Sequence, residues 1–137
     1  MNSKIVRFSL LILVVLTAIT FTAFDLNQKK PWPVAAKDAA KKNTVKSDAN
    51  SIKEGQSLWS RNCQPCHGKK GLGDGPKAAN LKTEPGNMGA ADVQAQSDGS
   101  LFFKISTGRG DMPSFKKKLE GDDDVWNLVN YIRTLKK

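Results

Sequence analysis

At 137 residues the chain has room for one small domain and little more, and a domain of that size buries too little surface to be very stable unaided. The formal charge of +9 is uneven: residues 1–50 carry eight basic and three acidic side chains, residues 51–137 fourteen and ten, so the leading segment holds much of the excess. The aromatics are not interleaved with the lysines and the chain opens on an export-type segment, which exclude a nucleic-acid partner.

Lys4 and Arg7 precede an uncharged, mostly apolar run from Phe8 to Phe24, the layout of a secretory signal or a signal anchor. Its 17 residues are long for a signal core and at the short limit for a spanning helix. Phe21 spoils the small-residue site ending at Ala23, and Val34-Ala35-Ala36 lies far downstream, so the expectation leans to an uncleaved anchor. Neither cysteine lies near the N-terminus, which excludes a lipid anchor. Residues 1–24 are therefore expected to be a signal peptide or membrane anchor. Residues 25–50, rich in Lys and Ala, with Pro31-Trp32-Pro33 near their start and no apolar period, read as a flexible tether.

The folded domain is expected over residues 51–137. Ser51-Ile52-Lys53-Glu54 has capping-box spacing, which predicts a helix from Ser51 to about Cys63. That helix runs into Cys63-Gln64-Pro65-Cys66-His67, which holds both cysteines and the single histidine of the chain. CxxCH is the c-type haem attachment pattern: each thiol can add to a haem vinyl group while the adjacent imidazole reaches the iron. A thioredoxin-type CxxC would need alternating strands and helices, which are not visible. A structural zinc site would need a fourth ligand, and a disulfide across a two-residue loop is strained and leaves His67 without a purpose.

Gly68-Lys69-Lys70-Gly71-Leu72-Gly73-Asp74-Gly75-Pro76 reads as a loop, without the order of a phosphate-binding one. A second helix is expected around Asp98, capped by Asp98 or Ser100, with Leu101, Phe102 and Ile105 at helical spacing and an end at Gly108. A loop, Arg109-Gly110-Asp111-Met112-Pro113-Ser114-Phe115, follows. Its first three residues spell an adhesion tripeptide, expected to be chance, with Gly110 allowing the turn and Arg109 facing a haem propionate. A last helix opens on Gly121-Asp122-Asp123-Asp124, carboxylates at its positive dipole end, and places Val125, Leu128, Val129, Ile132 and Leu135 on one face. No alternating strand is apparent, so the fold class is all-α, three to five helices with long glycine-containing loops around one covalently attached haem.

A His-ligated haem iron has a sixth position, and a Met thioether there raises the potential and suits electron transfer. Beyond the export segment only Met88 and Met112 qualify. Met112, 45 residues past His67, directly after a helix and stiffened by Pro113, is the expected ligand, with Met88 or an open iron as alternatives.

Together these residues resemble the class I c-type cytochromes, of the small bacterial monohaem kind, over about residues 51–137. Gly55 and Trp59, eight and four residues before Cys63, look like the family's first-helix glycine and aromatic, and Leu128 and Tyr131 like its last-helix pair. The resemblance implies the cytochrome c fold, with first and last helices crossing so that Gly55 packs against Tyr131. It also implies that the Pro76 carbonyl accepts the second N–H of His67, and that Met112-Pro113 with Phe115 forms the distal loop. Trp126 lies outside the strict pattern.

The function expected from these features is a single-haem electron carrier rather than an enzyme: Cys63 and Cys66 hold one haem c, while His67 and Met112 take the iron. A relay subunit of a larger respiratory complex is the alternative, and an open-iron enzyme or sensor a further one, disfavoured because no second histidine exists to serve as a distal acid-base group. The implied location is the periplasm or the outer face of the cytoplasmic membrane, with membrane contact through residues 8–24. Lys69, Lys70, Lys77 and Lys116-Lys117-Lys118 suit an acidic docking face on a redox partner such as a respiratory complex or oxidase.

Overall fold

A computed structural model describes residues 31–136, and every regular element in it is helical. The order is α1 (Ala36–Ala39), α2 (Ala49–Asn62), α3 (Gln64–His67), α4 (Ala91–Gln94), α5 (Asp98–Thr107) and α6 (Asp122–Thr134), with a 3-10 turn at Ala78–Asn80. Among the described residues no strand forms; Arg109 and Met112 make an isolated bridge. The three longer helices carry the core and the other three are single turns, which is why six helices appear where three to five were expected. No helix of the described residues is long and apolar enough to cross a membrane, and the expected signal or anchor lies outside them.

The main crossing joins α2 to α6. Gly55 is buried there, and a Cβ on it would lie 2.8 Å from Tyr131 Cβ and collide with the Asn127 carbonyl oxygen, so only glycine lets the two backbones come this close. The expected contact of Gly55 with Tyr131 is present. Leu58 and Trp59, one turn further along α2, then reach Leu128, Val129 and Ile132 in one core.

α6 is buried more widely than its apolar period indicates. Trp126, outside the expected stripe, is 1% exposed and stacks on Phe102 of α5 with centroids 4.3 Å apart. The helix is covered on two flanks, by α2 and by α5, so its buried arc exceeds a single stripe.

Two helix starts differ from expectation. α2 begins earlier, capped by Asp48, whose carboxylate accepts from the Asn50 and Ser51 N–H groups at 3.1 and 3.0 Å; Ser51 is buried inside the helix instead of capping it. α5 is capped one residue early, Ser97 Oγ accepting from the Ser100 N–H. An aspartate or serine one or three positions upstream caps the first amides of a helix that starts earlier, and periodicity alone does not choose between the starts.

The larger correction concerns the segment expected to be a tether. From Val34 onward the chain belongs to the same compact unit as the domain, and residues 34–50 lie along it as a strap. Ser97 Oγ donates to the Ala39 carbonyl at 2.7 Å, and Lys41 Nζ sits 3.6 Å from the Phe102 ring centroid while bridging to Asp122 at 2.7 Å. Asn43 Nδ2 donates to Asn130 Oδ1 at 2.8 Å, and Asn130 Nδ2 in turn donates to Ser51 Oγ at 2.6 Å and to the Val45 carbonyl at 3.3 Å. Asn130 is 2% exposed, so the strap satisfies a buried amide that α6 alone cannot. Asn43→Ala strips Asn130 Oδ1 of its donor and is expected to cost about 1–2 kcal/mol, measured by urea unfolding, whereas a solvated tether asparagine would change nothing.

Candidate functional site

The pentapeptide folds as one helical turn. The Cys66 and His67 N–H groups donate to the Cys63 carbonyl at 3.1 and 2.9 Å, and Pro65 brings a φ suited to the first helical positions. Cys63, Cys66 and His67 thus occupy positions i, i+3 and i+4, one face of a helix, so both thiols and the imidazole present to the same side. The following loop folds back over this turn: Gly73 N–H donates to the His67 carbonyl (2.9 Å), Gly75 to that of Cys66 (3.2 Å) and Lys77 to that of Pro65 (2.8 Å). Gly75 approaches so closely that a Cβ would lie 2.5 Å from the Pro65 oxygen and 2.6 Å from the Cys66 carbonyl carbon, which makes it a second obligatory glycine.

Trp59 fixes the turn to the core. Its indole Nε1 donates to the Gly68 carbonyl at 3.1 Å, and its ring lies 5.6 Å from that of His67 and 5.7 Å from that of Tyr131. The sequence marks Trp59 as a core aromatic; its hold on the residue after His67 depends on a loop conformation that no spacing rule supplies.

Burial sets the protonation of the site. Desolvation, with a smaller push from Cys66, raises the Cys63 thiol to about 12, the opposite of the depressed value that activates a CxxC redox thiol. Cys63 and Cys66 are not joined as a disulfide. Burial also lowers the His67 pKa, so the imidazole stays neutral at pH 7 and keeps a lone pair for a metal. His67 Nδ1 is buried without a hydrogen-bond partner, so the expected bond from this atom to the Pro76 carbonyl is not made. Pro76 nonetheless lies between Gly75 and Lys77, both bonded to carbonyls of the pentapeptide.

The two methionines sit in different settings. Met88 N–H donates to the Gly71 carbonyl at 2.7 Å and its own carbonyl accepts from Gln94 Nε2 at 2.7 Å, so it is bound into the loop that follows His67. Met112 closes a separate turn by exchanging hydrogen bonds with Arg109 (2.8 and 3.0 Å), and the exit of this turn is braced to α5 by Ser114 Oγ to the Ser106 carbonyl (2.6 Å) and Phe115 N–H to that of Ile105 (3.2 Å). Both methionines pack partly buried against the core. At the tip of that turn Asp111 Oδ2 accepts from the Lys82 and Thr83 N–H groups, at 2.8 and 3.2 Å. Lys69, Lys70, Lys77 and Lys116–Lys118 are all exposed.

Among the described residues no three His, Cys, Asp or Glu side chains converge on a bare metal ion. Two free thiols and one neutral imidazole on one helical face suit a group that brings its own equatorial donors and needs covalent anchors and an axial ligand, which is what haem c requires. His67 Nδ1, buried without a partner, lacks the acceptor that the free nitrogen of an iron-bound imidazole ordinarily takes.

Residues 50–132 match the family described as cytochrome C oxidase, cbb3-type, subunit III. Among solved structures, a chain of the reducing HAO-like protein complex of Kuenenia stuttgartiensis is similar, with 25% identity and a TM-score of 0.63. The match covers 84% of this chain and 54% of that one, so the chain spans about half the length of this structural relative. No curated protein matches. Trp59→Phe keeps an aromatic ring beside His67 but orphans the buried Gly68 carbonyl; it is expected to cost about 2 kcal/mol in denaturant unfolding of the holoprotein, and Trp59→Ala about 4 kcal/mol.

Proposed function

We propose, for a chain that belongs to the family of the cbb3-type cytochrome c oxidase subunit III and so serves haem-based electron transfer, that it is a single-haem carrier with His67 and Met112 as axial ligands. The carrying observation is the shared face of Cys63, Cys66 and the neutral His67 in a turn whose Pro65, Cys66 and His67 carbonyls are engaged by the loop behind it. Haem c, when bound, supplies a one-electron ferric/ferrous couple.

The chain's own residues do the rest. Cys63 and Cys66 anchor the group covalently, one attachment motif for one haem. His67 offers a lone pair from a ring that Trp59 and the Gly68 carbonyl hold in place. The Pro76 carbonyl, beside the pentapeptide backbone, is the acceptor we assign to the Nδ1 proton once the other nitrogen is on the metal. Met112 is favoured over Met88 because Met88 is bonded to Gly71, within the loop that leaves His67, whereas Met112 sits on an independent turn braced to α5. Held by His67 and Met112 together, the iron would be closed to substrate, as a carrier rather than an enzyme requires.

Met112→Ala is expected to abolish the sulfur-to-iron charge-transfer band of the oxidised protein and to lower the reduction potential by on the order of 0.1 V, within the ~0.8 V that axial ligands span. An optical redox titration reads both, and a band that survives the substitution transfers the role to Met88.

A relay fixed in an assembly is favoured over a free shuttle, because the matching family is described as an oxidase subunit and the similar structure is one chain of a complex. An extracytoplasmic position on a membrane fits this, with the exposed lysines facing an acidic partner. Co-purification with a membrane oxidase that persists in 0.5 M salt, roughly the regime where exposed charge pairs are screened, is the expected result; recovery as a lone soluble protein would return the shuttle.

A further inference from the structure

We propose that Asp111 is a positioning residue for Met112, tying the turn that carries this methionine to the segment that runs on from His67. The inference rests on the assignment of Met112 as the distal ligand. Read as sequence, Asp111 closes an adhesion tripeptide, yet its carboxylate is engaged with the chain's own backbone, on the Lys82 and Thr83 amides 29 and 28 residues away.

The path from each end of this tie to a ligand is short and bonded at each stage. On one side, Met112 and Arg109 exchange both backbone hydrogen bonds, so the two residues between them, Gly110 and Asp111, form the tip of a closed turn and Asp111 moves with Met112. On the other, Lys82 follows Leu81, whose N–H donates to the Ala78 carbonyl at 3.1 Å; Ala78 N–H donates to that of Gly75 at 2.8 Å, and Gly75 is bonded to Cys66. Asp111 therefore couples the Met112 turn to the backbone of the haem-binding pentapeptide.

The other braces on the Met112 turn, through Ser114 and Phe115, run to α5 and fix its exit to the core. The Asp111 tie runs instead to the stretch between the 3-10 turn and α4, and so sets the turn against the proximal side. A carboxylate accepting two backbone N–H groups makes charge-assisted bonds, and one at an exposed position competes with water, so its loss should loosen the turn without unfolding the domain.

The test uses the ferric holoprotein and added imidazole, which binds the iron only after the thioether leaves. Asp111→Ala is expected to keep the sulfur-to-iron band when no imidazole is present, to bind imidazole about tenfold faster than wild type, the scale of one charge-assisted bond lost, and to exchange the Lys82 and Thr83 amide protons faster. Asp111→Asn, which retains a neutral acceptor oxygen, should fall between the two. Lys41→Ala, which weakens the strap on α5 and α6, controls for general loosening and should bind imidazole at the wild-type rate. The proposal is overturned if amide exchange is unchanged, if it quickens while imidazole binding does not, or if Lys41→Ala accelerates binding as much as Asp111→Ala. The charge-transfer band of Met112→Ala, measured alongside, separates a wrong ligand from a wrong positioning residue.

Discussion

The closeness of two helix backbones at Gly55 is the constraint from which the site is suspended. Because nothing larger than hydrogen separates α2 from the Asn127 carbonyl, Tyr131 and Trp59 meet 5.7 Å apart, and the indole N–H of Trp59 is thereby aimed at the Gly68 carbonyl, the residue next to His67. A wider crossing would displace Trp59 from Tyr131, and the proximal turn would lose its attachment to the core. The glycine, eight residues before Cys63, acts on the site through one aromatic side chain.

Burial around the pentapeptide serves attachment and electron transfer together. A thiol pushed up to about 12 stays protonated, and a histidine whose pKa is lowered stays neutral, so neither Cys63 nor His67 brings a charge into the site. Neutral donors in a desolvated pocket avoid the cost of burying ions. Positive charge is kept outside, on Lys69, Lys70, Lys77 and Lys116–Lys118, all exposed, where it acts on a partner at the range of the Debye length without disturbing the iron's surroundings.

Much of this arrangement was legible in the sequence, for identifiable reasons. The α6 stripe, the pentapeptide and the end of α5 at Gly108 are local patterns, and local patterns are what periodicity and spacing report. Trp126 escaped because its burial comes from Phe102 on another helix, and the helix start at Ser51 gives way because Asp48, three residues earlier, caps an extra turn whose amides include that of Ser51 itself. The strap over residues 34–50 was hidden by composition: lysine, alanine and asparagine look solvated, yet Lys41 lies on an aromatic face and Asn43 answers a buried Asn130. Polar residues dock by pairing with specific groups, and such pairs leave no period to find.

The proposed axial ligands are carried by segments anchored to different parts of one core. His67 is tied through Gly68 and Trp59 to α2, Met112 through Ser114 and Phe115 to α5, and α2 and α5 both pack on α6. Their separation is thus a property of the three-helix core together with the Asp111 tie between the two loops. The strap bears on that core, since Lys41 spans Phe102 of α5 and Asp122 of α6, and Asn43 reaches Asn130. An electron carrier benefits from ligands that do not move when its charge changes, because every ångström of rearrangement adds to the barrier of transfer. The strap thus belongs to the frame of the helices, whereas the contact that reaches a ligand-bearing turn directly is that of Asp111 with the Lys82 and Thr83 amides.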